Sequence, residues 1–143
     1  MRRLLVAIDG SPSAERVVDH IVKMDKDFGP FEVHVIHVAP EPAILGEAEV
    51  YVSPVEARAM QEAAFDRALK PAVARLQEAG VPCQVHRASS DAAAEAIAAK
   101  ADELGADLIV MGTHGRSTLV NFFMGSVATG VVHRSARPVL LVK

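Results

Sequence analysis

Glycines at positions 112, 115 and 125, the last followed directly by Ser126, lie within the stretch MGTHGRSTLVNFFMGSVATGVV, residues 111–132. Lacking a Cβ, Gly112 and Gly115 can reach positive φ and let a bulky anion come close to backbone N–H groups. Gly125 and Ser126 then open a helix expected over Ser126–Arg134, where free N–H groups, the helix dipole and a hydroxyl suit a phosphate. Arg116 can add charge-assisted hydrogen bonds at the mouth of such a cradle, with Thr113 and His114 between its first two glycines. The competing reading is a tight loop that binds nothing. Asp9, at the end of the first apolar run, is either a helix cap or a group that meets a ligand.

These residues need elements to hold them. Near-continuous apolar runs at 3–8, 31–38, 81–88, 106–112 and 138–142 read as strands covered on both faces. Between them, Ala14, Val17, Val18 and Ile21 follow a helical period, as do Phe65, Leu69, Ala72 and Leu76, and then Ile97, Ala101 and Leu104. Ser11 and Pro12 read as N-cap and first position of helix one, and Gly29–Pro30 as its stop. Ser53, Pro54 and Glu56 form a capping box for helix two. Gly80 and Gly105 sit where helices two and three should end. Pro71 should kink or break helix two. Ser89, Ser90 or Asp91 must cap helix three. The join at 39–54, with three prolines, reads as an irregular surface segment and the part expected to move most. Strands alternating with helices give one α/β domain over 1–143, an open, mainly parallel sheet with helices on both faces. Ligands of such sheets bind outside the carboxyl ends of the strands, where strand order reverses. That rule selects Ala7, Ile8, Asp9, Gly10 and Ser11, then His37, Val38 and Ala39, then Met111, Gly112 and Thr113.

Composition narrows the function. With 143 residues, 50% of them hydrophobic, the chain has material for a buried core. A net charge of −3 gives no field to draw nucleic acid or anionic lipid, and no apolar run is long enough for a membrane span. The first apolar run is too short for a secretory signal, and Asp9 ends it. The lone Cys83 excludes an internal disulfide and reads as a small buried residue, in keeping with a reducing cytoplasm. His34 and His37 lie three apart on a strand, so their side chains point to opposite faces and cannot clamp one metal ion. Both read as ordinary sheet residues, and His20, His86 and His133 have no evident partner.

The segment "GTHGRS", the spacing G-x2-G-x9-G-[S/T] at Gly112, Gly115, Gly125 and Ser126, and the flanking "LLVAIDGSPSA", "HVIHV", "GADLIVMG" and "RPVLLVK" together resemble the ATP-binding universal stress proteins over essentially the whole chain. The resemblance implies a Rossmann-like sheet of order 3-2-1-4-5, of the adenine nucleotide alpha hydrolase type. It implies adenine beside Ala7, Ile8 and the Val38 backbone, and Asp9 near the ribose or a phosphate-bound Mg2+ ion, with no metal held by protein alone. Met111 and Gly112 would flank ribose and α-phosphate, and Gly115, Gly125, Ser126 and Val127 would hold the phosphates. Thr113, His114 and Arg116 complete the ATP-binding set. Two features depart from relatives: "ASSDAAAE" before helix three, and Gly130 inside helix four, which costs roughly 1 kcal/mol against Ala.

Enzyme readings lack their residues. There is no G-x4-G-K-[S/T] loop, no G-x-S-x-G elbow, no H-E-x-x-H, and no Ser or Cys with an assigned base. A receiver domain would need clustered acids after strand one. The sequence therefore reads as a cytoplasmic nucleotide-binding stress-response module that contacts itself or an unidentified protein. The alternatives are a slow Mg2+-dependent ATPase and a nucleotide-free structural dimerisation module. Val139, Leu140, Leu141 and Val142 are expected to form an edge strand that nothing after Lys143 covers, and which pairs with a second copy as a homodimer.

Overall fold

The computed structural model describes residues 1–42, 52–114 and 124–143. In chain order the elements are β1 (Arg2–Ala7), α1 (Pro12–Phe28), β2 (Phe31–Ala39), α2 (Pro54–Glu78), β3 (Cys83–Ser89), α3 (Ala93–Leu104), β4 (Leu108–Gly112), α4 (Ser126–Arg134) and β5 (Val139–Val142). The strands form one sheet of order β3-β2-β1-β4-β5, with every neighbouring pair parallel. β1 is central, pairing Leu4 with Val33 on one side and with Leu108 on the other. Period-two alternation splits the core in two. Leu4, Val6, Val33 and Val35 pack with Val17, Ile21, Phe65 and Leu76 of α1 and α2, while Leu5, Ile36 and Ile109 pack with Ile97, Ala101 and Val131 of α3 and α4.

Local chemistry sets the boundaries. The Ser53 hydroxyl accepts from the Glu56 N–H at 3.2 Å and the Glu56 carboxylate accepts from the Ser53 N–H at 2.9 Å, the expected capping box. These bonds hold the Glu56 carboxyl below its usual range. Most of the join at 39–54 lies outside the described residues. Pro71 does not break α2, which runs on to Glu78 because Ala68 and Leu69 before the proline and Ala72 and Leu76 after it are buried on one face. β3 starts later than its apolar run, since the Val81 N–H closes the end of α2 on the Leu76 carbonyl at 2.9 Å. β4 also starts later, because Ala106 bonds back to Ala101 at 2.8 Å, beyond Gly105 in left-handed conformation at φ 61°. None of Ser89, Ser90 and Asp91 holds the cap position of α3: Ala92 does, with its N–H bonded to the Ser90 hydroxyl at 3.0 Å. Cys83 is half-buried against the α1–α2 core, and burial pushes its thiol pKa up.

His34 and His37 do point to opposite faces, and neither is an ordinary sheet residue. His34 is buried on the α3 side, with Nδ1 at 2.8 Å from His86 Nε2 and Nε2 at 3.0 Å from Glu32 Oε1. The partner of His86 is thus His34, across β2 and β3. Glu32 in turn accepts from Arg3 Nη2 at 2.9 Å, and Arg3 Nη1 donates to the Leu104 carbonyl. The Arg3 guanidinium, ahead of His34, holds the Glu32 carboxyl below its usual range.

Gly130 has a packing reason: a Cβ there would lie 2.6 Å from Ala94 Cβ of α3. Ala at 130 normally gains about 1 kcal/mol of helix propensity. Here Gly130→Ala is expected to lose about 1–3 kcal/mol by overpacking, and Ala94→Gly in the same chain to recover part of it, read from urea midpoints.

His86 yields a pH dependence. Desolvation first, then repulsion from His34 and Lys100 against attraction from Glu103, holds its pKa below 6.5. The unfolded chain therefore takes up this proton first as pH falls, so stability should drop from pH 7.5 to 5.5, above the range where carboxylates titrate. His86→Gln should flatten the urea midpoint over that interval; a wild-type midpoint already flat there would contradict the assignment.

Candidate functional site

A parallel sheet whose order reverses at β1 leaves a crevice at the carboxyl ends of β1 and β4, because the connections leaving these strands diverge to opposite faces. A cavity of about 460 Å³ lies there. Its floor is Ala7, Ile8 and Asp9 after β1, His37 and Val38 at the end of β2, and Met111 to His114 after β4, and the start of α4 closes it with Gly125, Ser126 and Val127. Of the residues singled out by sequence, Ala7, Ile8, Asp9, Val38, Met111, Gly112, Thr113, His114, Gly125, Ser126 and Val127 line this one cavity. Gly115 and Arg116 lie outside the described residues.

The rim is tied together by backbone bonds. The Gly125 N–H donates to the Thr113 carbonyl at 2.7 Å, and the Thr113 N–H to the Val142 carbonyl at 3.0 Å. α4 thus starts against the end of β4. Gly125 holds the cap position with φ −59°, and having no side chain it caps none of the first N–H groups of the helix. Ser126, Val127 and Ala128, which carry those groups, line the cavity. Such a terminus is suited to an anion.

Gly112 works differently from the sequence expectation. It is not among the described glycines at positive φ, which are Gly10, Gly80 and Gly105. A Cβ at 112 would instead stand 3.1 Å from Ser13 Oγ, so the missing side chain makes room for α1. His114 is half-buried: Nδ1 lies 2.8 Å from Thr113 Oγ1, while Nε2 is buried without a hydrogen-bond partner. Asp9 Oδ1 accepts from the Ser11 N–H at 2.9 Å, which fixes the turn into α1. Ser11 holds the cap position of α1, yet its hydroxyl makes no cap bond.

Two wall residues stand outside the expected ATP-binding set, although the strand-end rule does select the first of them. His37 is buried, and because a carbonyl only accepts, its Nδ1–H must donate to the Ile8 oxygen at 2.8 Å, which fixes the tautomer. Its ring meets Phe65 edge-on, and Arg87 stands over the other ring. Ser13 lines the cavity from the first turn of α1. Position, one residue before Val38 in the first case and two after Ser11 in the second, is the only sequence signal for either. The remaining lining residues, among them Ala64 of α2 and Ala93 and Ile97 of α3, are apolar. Among the described residues no group of three or more His, Cys, Asp or Glu is placed to hold a metal ion. The arrangement offers a slot with apolar walls, an uncapped helix terminus, one orphaned imidazole nitrogen and one carboxylate: features that accommodate a flat apolar group joined to an anion.

Comparisons with known proteins agree with this geometry. The Universal stress protein YxiE of Bacillus subtilis (strain 168) is 30% identical over 149 residues, covering 99% of this chain and 98% of its own. Among solved structures, protein MJ0577 of Methanocaldococcus jannaschii aligns with a TM-score of 0.81 at 28% identity, over 99% of this chain and 95% of that one. The universal stress protein from Archaeoglobus fulgidus in complex with dAMP aligns with a TM-score of 0.69 at 26% identity, over 100% and 98%. The sequence profile of the Universal stress protein family matches residues 1–143. The chain belongs to that family.

Proposed function

We propose that this protein binds an adenine nucleotide in the crevice at the carboxyl ends of β1 and β4, with ATP as the nucleotide that the glycine spacing favours. The observation that carries the reading is the convergence of three strand ends and the uncapped start of α4 on one cavity. The dAMP bound by the Archaeoglobus fulgidus relative supports the ligand class. In this reading Ala7, Ile8 and the Val38 backbone enclose adenine, and Met111 and Gly112 flank the ribose. Asp9 serves the ribose or a nucleotide-bound Mg2+ ion. Gly115, Gly125, Ser126 and Val127 hold the phosphates, with Thr113, His114 and Arg116 beside them. The orphaned His114 Nε2 fits a group that a ligand completes. The role is recognition: the nucleotide biases contacts with a second copy or another protein in a cytoplasmic stress response.

The β5 edge supports the self-association part. Pro138 and Val142 carbonyls accept from Ile109 of β4 and from Thr113 just after it, so strand alternation turns the N–H groups of Val139 and Leu141 away from β4. Val139, Leu140, Leu141 and Val142 are all partly exposed. Antiparallel pairing of two copies of this strand would satisfy those groups and extend the sheet.

Titration calorimetry tests the cradle. ATP should bind the wild type, and Gly125→Val, which places a branched side chain at the start of α4, should weaken it at least tenfold, about 1.4 kcal/mol, in a folded protein. Equal affinity in both would remove the phosphate assignment. For the edge, light scattering at micromolar concentration should give a wild-type dimer that Leu141→Pro shifts to monomer by deleting an outward donor. A monomeric wild type would exclude the interface.

A further inference from the structure

The buried hydroxyls of Ser11 and Ser13 are used neither to cap α1 nor to pack the core. Ser13 Oγ lies 2.7 Å from the His114 carbonyl and 2.7 Å from Ser11 Oγ, and both serines are at least nine-tenths buried, at 8% and 6% exposure. A hydroxyl has one proton and a carbonyl has none, so Ser13 donates to His114 and Ser11 must donate to Ser13. The Ser11 N–H is itself held by Asp9. A directed chain of hydroxyls therefore runs from Ser11 through Ser13 to the His114 carbonyl, with Ser11 anchored by its backbone N–H donating to Asp9. It crosses from the β1–α1 turn to the segment leaving β4, where Thr113, the preceding residue, anchors the Gly125 N–H. Gly112 supplies the second half of the fit, because a Cβ there would stand 3.1 Å from Ser13 Oγ and 3.5 Å from Ser13 Cβ.

We propose that Ser13 is a positioning residue for phosphate recognition: its hydroxyl fixes the backbone at His114, and through the Thr113–Gly125 bond the start of α4, so that it governs the affinity contributed by the phosphates and not that of the nucleoside. The inference rests on the nucleotide reading above. A side chain that only filled space beside Gly112 would affect nucleoside and nucleotide alike. One that sets the backbone carrying the anion-facing N–H groups affects only the ligand that has an anion.

The experiment is calorimetric titration of the full chain with adenosine and with AMP. The readout is the ratio of the two dissociation constants, which isolates the phosphate contribution. In the wild type AMP should bind more tightly. Ser13→Ala should reduce the ratio about fivefold, the loss typical of one hydrogen bond, with adenosine affinity changed less than twofold. Retained adenosine affinity also reports that the variant is folded. Gly112→Ala, which crowds the hydroxyl, should reduce the ratio similarly, and adding it to Ser13→Ala should reduce it by less than the product of the separate effects. Should Ser13→Ala not fold, Ser11→Ala keeps the Ser13–His114 contact and should give a smaller loss in the same ratio. An unchanged ratio in the variants, or equal weakening of both ligands, overturns the positioning role while leaving the nucleotide reading intact. A wild type that binds neither ligand overturns both.

Discussion

The double parallel pairing of β1 is the constraint on which the rest of the structure depends. Its backbone is committed to β2 on one side and β4 on the other, and Leu5 and Val6 are fully buried on opposite faces. Both faces must therefore be covered by helices, as parallel sheets require. The chain obliges by sending α1 and α2 to one face and α3 and α4 to the other. Where the two directions part, strand ends remain with no helix over them, and their polar groups must find partners locally. The Ile8 carbonyl takes the proton of His37, the Ser11 N–H takes Asp9, and the His114 carbonyl takes Ser13. Those bonds give each of these groups at the floor of the crevice a partner within the protein. Among the described residues, the start of α4 lines the cavity without a side-chain cap, and the buried His114 Nε2 has no hydrogen-bond partner.

A second polar system sits deeper on the α3 face and has a different character. Between His34 Nδ1 and His86 Nε2 there is one hydrogen bond, and hence one proton. Glu32 accepts from His34 and from Arg3, so the imidazole pair is anchored to a carboxylate and, through Arg3, to the end of α3. None of these residues lines the crevice. Their work is to join β3, β2, β1 and α3 beside the core, where burial of unpaired imidazoles would be costly.

Much of this was legible in the sequence because it follows from one-dimensional patterns. Apolar runs bounded by turn residues marked all five strands, and the Ser53–Glu56 box and Gly105 marked helix ends through chemistry that acts over three or four residues. The strand order itself came only through the family resemblance. What remained illegible depends on partners distant in the chain. His34 and His86 are 52 residues apart, and only the β2–β3 register brings their rings together. The early starts assigned to β3 and β4 failed for a related reason: Val81 and Ala106 look like strand residues, but their N–H groups are spent on helix ends. Ser13 is indistinguishable by sequence from any polar residue in a first helical turn, since its partner, the His114 carbonyl, lies 101 residues away.

The glycines carry the same lesson into the interpretation of motifs. Read as a spacing, Gly112, Gly115 and Gly125 invite a single explanation, the close approach of an anion. In the structure the described members divide. A Cβ at Gly112 would crowd Ser13 of α1, and Gly125 gives the first turn of α4 no side-chain cap. Gly130, outside the spacing altogether, is required by Ala94. Small residues thus record where backbone must approach something, and the approaching group is as readily another element of the protein as a ligand. At 112 the two explanations meet, because the element admitted there orients the backbone that faces the crevice. A glycine can therefore act by admitting a neighbouring helix, here so that the Ser13 hydroxyl of α1 reaches the His114 carbonyl.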